Sequence, residues 1–322
     1  MSVYTELTTQ NLKMILDDYA LGELKRFTGI TAGIENSNFF LDMQDGQRFV
    51  LTIFERLGAD ELPYFMRLMR HLASRGLQSP DVQVRHDGSL IFEIQAGDKV
   101  KQGCIVSCLT GETLDFLNQA QLVSSGASLA TLHLAGSSFD EPRDNPTGFD
   151  WLEENIAAMQ EDVKKTYGAD ALALLNDELA YQKKQSISGV PRGVIHGDLF
   201  VDNILFEGND VSGVIDFYYA HDAAYVMDIA IAINAQAIVL GENDDARMAS
   251  FLQGYESQRK LELGEKDALG SLLRLGALRF WVSRLYDALY PRDGAMTQTK
   301  DPEEYRKKLL LHKESLAKRI SY

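Results

Sequence analysis

Two cysteines, seven prolines and two tryptophans in 322 residues leave little for several protein classes to build on. Cys104 and Cys108 stand four apart on an apolar stretch with no second Cys or His pair nearby. That is a poor zinc signature, and both read as buried thiols. Basic residues are also scarce: 32 Lys and Arg face 47 Asp and Glu, a net charge of −15. This balance argues against nucleic acid or anionic membrane as a partner, since both need basic patches. Long apolar runs are missing too. The most apolar stretch, Tyr225 to Leu240, is shorter than a membrane span and is interrupted by Asp228, Asn234 and Gln236, so it reads as a buried helix. The start, MSVYTELTTQNLKMILDDYA, has neither a basic leader nor a long apolar core, which points to the cytoplasm. No internal repeat appears.

What is present is a 45% hydrophobic chain, long enough for a large core and about two lobes. After a helix around Thr9 to Tyr19, strands are expected at Leu24–Thr31, Ser37–Met43 and Arg48–Phe54, the last two joined by a turn at Gln44-Asp45-Gly46. A helix over about Asp60 to Ser74 and strands at Ser89–Gln95 and Lys99–Leu109 follow. Beyond Gly111 helical spacing dominates: Leu114–His133, Trp151–Lys164, Ala171–Gln185, Asp222–Leu240, Ala246–Glu256, Glu265–Tyr290 and Pro302–Ile320. Short strands at Gly193–His196, Asn203–Phe206 and Gly213–Phe217 interrupt it, the last two bridged by a hairpin turn at Glu207-Gly208-Asn209-Asp210. The expected architecture is a bilobal α+β fold with an N-lobe over 1–110 and a helical C-lobe over 111–322.

The polar residues with chemical potential gather in those strand-like pieces. Asp198, Asn203 and Asp216 all sit at the ends of short apolar strands, where a loop presents side chains to a cleft. Phosphoryl transfer needs a carboxylate to orient an attacking hydroxyl, and oxygen ligands for the magnesium on the nucleotide phosphates. One Asp, an Asn five residues later and a second Asp beyond a hairpin supply those parts, with the spacing that protein kinases use. The alternative is that Asp198 caps a turn, Asn203 occupies a left-handed turn and Asp216 is a satisfied hairpin group.

The run HGDLFVDNIL followed by VIDF resembles the aminoglycoside phosphotransferase and choline kinase superfamily, which has a protein-kinase-like fold. Within it, MSVYTEL, GITAGIENSNFFL, RFVLTIFE, LPYFMRLMRHLASRG, VIHGDLFVDNILF, GVIDFYYA and LRFWVSRLYD resemble the bacterial type II homoserine kinases over almost the whole chain. The resemblance implies ATP and Mg2+, with L-homoserine as acceptor on the way to threonine. It implies Asp198 as catalytic carboxylate, Asn203 and Asp216 as metal ligands and His196 as a brace for the loop. Phe200 stands where the superfamily commonly has His.

The segment Gly29 to Asn38 resembles the hairpin that covers phosphates, with Gly33 for close approach and Asn36, Ser37 and Asn38 as donors. An ordinary turn is the alternative. The third strand carries Thr52 where kinases place a Lys; Arg48 and Arg56 share its face. Glu61 is read either as the helix Glu of that missing pair or as a first-turn charge. Ser107 and Leu109 are read either as part of a hinge whose backbone meets adenine or as an ordinary connecting strand. For an ammonium and a carboxylate on the acceptor, Arg279, Trp281, Arg284 and Asp287 on one helix are candidates, the alternative being a helix salt bridge between Arg284 and Asp287 beside a core Trp; Tyr218 and Tyr219, just past Asp216, are further candidates. Asp228 is read as a brace for the metal loop. Two rivals stay open: a kinase of the same fold for an aminoglycoside, choline-like amine or hydroxylysine, and a non-catalytic nucleotide-binding protein, suggested by the missing Lys.

Overall fold

The computed structural model describes residues 5, 7–30, 36–185, 187–240, 244–291 and 300–320. Gly33 lies outside them. The chain divides into two units, one running to Gly111 and taking in Ser212–Ile215, the other covering Glu112–Val211 and the chain from Asp216 onward.

In the first unit, period-two alternation produces strands that bury one face. Helix α1 (Thr9–Leu16) precedes β1 (Leu24–Ile30), β2 (Asn36–Met43) and β3 (Arg48–Phe54). Helix α2 (Leu62–Ser74) then leads to β4 (Phe92–Ala96) and β5 (Lys99–Ser107). The antiparallel sheet has the order β1-β2-β3-β5-β4. Phe39, Leu41 and Met43 from β2 and Phe49, Leu51 and Ile53 from β3 share a core with Leu12 and Ile15 of α1. Burying such side chains is worth about 1.5–3 kcal/mol each. The opposite face of β3, carrying Val50 and Thr52, is left for other contacts.

The second unit is mainly helical: α3 (Gln119–Gly136), α4 (Phe149–Tyr167), α5 (Ala169–Gln182), α6 (Tyr225–Ala232), α7 (Asp244–Gln258), α8 (Leu263–Leu289) and α9 (Pro302–Ile320). Helix α3 starts at Gln119, later than the sequence pattern suggests, because Asn118 forms a capping box with Gln121 and fixes the first turn there. Helices α3 and α7 approach so closely that a Cβ on Gly126 would lie 2.0 Å from the Phe251 carbonyl oxygen, and one on Gly254 would lie 1.9 Å from that of Val123. A second core forms where α4, α5, α8 and α9 meet around Trp281. Among the described residues no helix is long and apolar enough to cross a membrane.

Two small sheets interrupt the helices. Strand β6 (Arg192–Ile195) pairs with β9 (His221–Ala224), and β7 (Ile204–Glu207) pairs with β8 (Asp210–Val214). The expected helix Asp222–Leu240 therefore divides into β9, α6 and a π-helix at Ile233–Ala237. Pairing of β9 with a strand thirty residues earlier overrides local propensity. Strand β8 ends at Val214, short of the expected Phe217, since Asp216 takes a left-handed backbone (φ 65°, ψ 60°) that cannot continue a ladder.

Candidate active site

The loop from His196 to Asn203 leaves β6 and enters β7, and its shape follows from a few backbone anchors. Gly197 has φ +76°, and a Cβ there would come within 2.7 Å of the Tyr219 carbonyl oxygen, so only glycine fits. Asp228 of α6, fully buried, accepts from the backbone N–H of His196 (2.7 Å) and of Gly197 (2.9 Å). Burial alone would raise its carboxyl, but the hydrogen bonds from His133 and from the Gly197 amide hold it below the usual range. His133 is kept neutral by burial; its Nε2–H donates to Asp228 Oδ2 (3.1 Å) and its Nδ1 accepts the Tyr255 hydroxyl (2.7 Å). Arg279 of α8 donates to the Gly197 carbonyl (2.6 Å), and Gln236 of the π-helix donates to that of Leu199 (2.8 Å). The loop is thereby fixed from three helical segments.

On this frame the sequence-predicted residues come together. The Asp198 carboxyl is densely surrounded and is pushed up to about 8. Burial is the main cause; the charges of Asp216 and Asp202 add to it, while Arg279 and Lys300 oppose. A carboxyl near neutral range suits proton transfer. Asn203, buried, donates through Nδ2 to the Asp198 carbonyl (2.8 Å), an arrangement that would let its Oδ1 meet a metal ion. Asp216 is exposed, presented by its left-handed backbone. His196 packs on Phe217 (4.9 Å between centroids) and its Nδ1 accepts the Asp198 N–H (3.2 Å). Two hard oxygen donors fit a magnesium ion that keeps several waters and shares nucleotide phosphates. Among the described residues no three His, Cys, Asp or Glu converge as a self-contained metal cage.

The other predicted residues are placed less simply. In the first unit, Ser37 is fully buried and donates to Glu55 (2.6 Å), whose other oxygen pairs with Lys101, so its hydroxyl serves the sheet. Asn38 lies opposite Thr52 and accepts its hydroxyl (2.8 Å), a neutral cross-strand pair where a Lys was missing. Asn36 Oδ1 accepts the Glu55 N–H (3.4 Å). Glu61 is the N-cap residue of α2, without a side-chain capping bond. Ser107 exchanges two bonds of 2.9 Å with Asp81, and Leu109 follows beyond the end of β5, half-buried.

On α8, Trp281 is fully buried in the helical core. A side chain there meets its neighbours and no ligand. Arg284 does not pair with Asp287; it is held by Glu304 (2.6 Å) and the Asp301 carbonyl (2.9 Å) from the start of α9. Asp287 is exposed and Tyr218 is half-buried. Arg279, read as an acceptor contact, instead braces Gly197. Two residues were not singled out. Asp202 sits between Val201 and Asn203 in the loop, and Lys300 pairs with it (2.9 Å). Asp202 had a signal in its place beside Asn203; Lys300, ninety-eight residues on, had none.

This is the fold and loop of a phosphotransferase, and the chain belongs to the phosphotransferase enzyme family, which it matches over residues 26–263. It is an ATP-dependent kinase. Among its relatives is a homoserine kinase of Neisseria meningitidis serogroup B, 40% identical over 311 residues, covering 96% of this chain and 99% of the relative. Another, from Methylobacillus flagellatus, is 38% identical and covers 97% and 95%. Similar solved structures share the protein-kinase-like fold at low identity. An amicoumacin kinase in complex with AMP-PNP, Ca2+ and Ami is 16% identical, with a TM-score of 0.69 and coverage of 96% and 93%. A microcompartment-associated aminopropanol kinase is 17% identical, with a TM-score of 0.64 and coverage of 95% and 94%.

Proposed function

We propose that the protein transfers the γ-phosphoryl group of ATP to the side-chain hydroxyl of L-homoserine, giving O-phospho-L-homoserine for threonine biosynthesis in the cytoplasm. The observation that carries the acceptor is identity of 40% to a homoserine kinase over nearly the full length of both chains. In this reading the first unit covers the nucleotide phosphates, and the second holds the catalytic loop, the metal and the acceptor.

Asp198 orients the acceptor hydroxyl and takes its proton as the oxygen attacks phosphorus. Asn203 Oδ1 and Asp216 would hold Mg2+, which supplies neutralisation of charge on the phosphates when bound. Arg279 and Asp228 keep the loop in place from behind through Gly197 and His196. Most of the rate enhancement then comes from positioning and fixed charge. Asn36, Asn38, Glu61 and the Ser107–Leu109 stretch complete the nucleotide contacts of this reading, and Tyr218, beside Asp216, is the acceptor contact nearest the metal ligands in sequence.

The test is magnesium-dependent ADP release by the purified protein with L-homoserine, D-homoserine, L-serine, L-threonine, choline, hydroxylysine and kanamycin, with Asp198→Asn as control. Turnover strongest with L-homoserine, and reduced about 10²- to 10⁴-fold in the variant while ATP still binds, is expected. Turnover favouring another acceptor would discard the substrate and keep the mechanism.

A further inference from the structure

At the catalytic loop, the second unit has an open depression of about 200 Å³ whose lining includes Asp115, Phe200, Val201, Asp202, Ala235 and Lys300. Its construction is selective. Phe200 is wedged edge-on against Phe280 (4.7 Å between centroids) and lies 6.2 Å from Tyr305, so its ring is a fixed apolar wall. Ala235 comes from the π-helix at Ile233–Ala237, where the neighbouring Gln236 is tied to Leu199 and to Ser125 (2.6 Å). A π-turn at such a place fits a functional site. Lys300 Nζ lies 2.9 Å from Asp202 Oδ2 and 5.0 Å from the centre of the Phe200 ring. Both charged side chains are more than half exposed, so neither is needed to fill the core. Their charges also reach the Asp198 carboxyl, which stands four residues before Asp202 on the same loop.

We propose that Asp202 and Lys300 form the acceptor's amino-acid clamp, in which Lys300 takes the α-carboxylate, Asp202 takes the α-ammonium and Phe200 packs on the side-chain methylenes. The proposal rests on the reading of the acceptor as an amino acid. A zwitterion exchanges one ion pair for two and leaves no charge unmatched. A simple cation such as choline could pair with Asp202 only by stranding Lys300 next to a like charge, so the cation in the clamp selects against amines without a carboxylate.

The experiment measures KM for L-homoserine and for ATP, together with inhibition of the wild-type and variant enzymes by 3-aminopropan-1-ol, which lacks the carboxylate, and by 4-hydroxybutyrate, which lacks the ammonium. Lys300→Met should raise KM for homoserine about 10- to 100-fold with KM for ATP unchanged, the loss expected for one charge-assisted hydrogen bond. It should not weaken inhibition by 3-aminopropan-1-ol. Asp202→Asn should raise KM for homoserine similarly and spare 4-hydroxybutyrate, and Lys300→Arg should retain most of the affinity. Homoserine turnover in which Lys300→Met and Asp202→Asn keep the wild-type KM would overturn the clamp alone. Equal losses for both truncated analogues would overturn it as well, by showing a general disturbance of the loop. A wild-type enzyme inert toward homoserine but active on a carboxylate-free acceptor would remove the acceptor reading and the clamp together.

Discussion

At the scale of single residues, the site depends on backbone states as much as on side chains. Asp216 holds its carboxylate in a left-handed conformation that costs a non-glycine residue about 1 kcal/mol. Asn tolerates that region better than Ala does. Asp216→Asn should therefore lose turnover with its stability intact, whereas Asp216→Ala should lose turnover and about 1 kcal/mol as well. Urea denaturation alongside ADP release separates the two. His312, buried against Asn234 (2.7 Å), is pushed down to about 4, first by its burial and then by the Lys308 charge. An unfolded His titrates near 6.5, so the native state is favoured fully above that pH. That stability is lost as pH falls from about 6.5 to 4, by about 3 kcal/mol from this residue. The urea midpoint of His312→Gln, which keeps a donor for Asn234, should fall less over the same range.

At the scale of elements, the α3–α7 crossing makes the sharpest demand. Gly126→Ala gains helix propensity but would place its Cβ 2.0 Å from Phe251 O and 2.9 Å from Tyr255 N, on the helix that anchors His133 through Tyr255. A net destabilisation of about 1–3 kcal/mol is expected, measured by thermal or urea unfolding. The elements also show what the sequence made legible. Strand β2 alternates cleanly between its two faces, and Asp198, Asn203 and Asp216 carry their spacing in the chain itself. Strand β9 was hidden because its pairing with β6 is non-local, and Ser37 resembled a phosphate donor because nothing nearby in sequence reveals its bond to Glu55. Trp281 and Arg284 looked like acceptor contacts since helical spacing fixes which residues share a face but not what that face meets. Lys300 reaches Asp202 only through the fold.

For the whole molecule, the charge balance has a physical consequence apart from function. With a net charge of −15, exposed carboxylates repel one another at low ionic strength. Several cations, among them Arg247, Arg274, Arg279 and Lys308, are buried and committed to internal partners. They screen the surface poorly. The melting temperature should therefore rise by roughly 2–5 °C between 10 and 200 mM NaCl, as the Debye length shrinks. A melt that falls over this range would show that surface ion pairs outweigh the repulsion.

The neutral pair of Thr52 and Asn38 across β2 and β3 bears on how such a protein is detected in a cell extract. An acyl phosphate of ATP acylates an amine that lies against the nucleotide phosphates, and the Lys that kinases carry on the third strand is such an amine. Here that strand offers a hydroxyl already spent on an amide. In a proteome treated with such a reagent this kinase would be passed over, or be marked at another position.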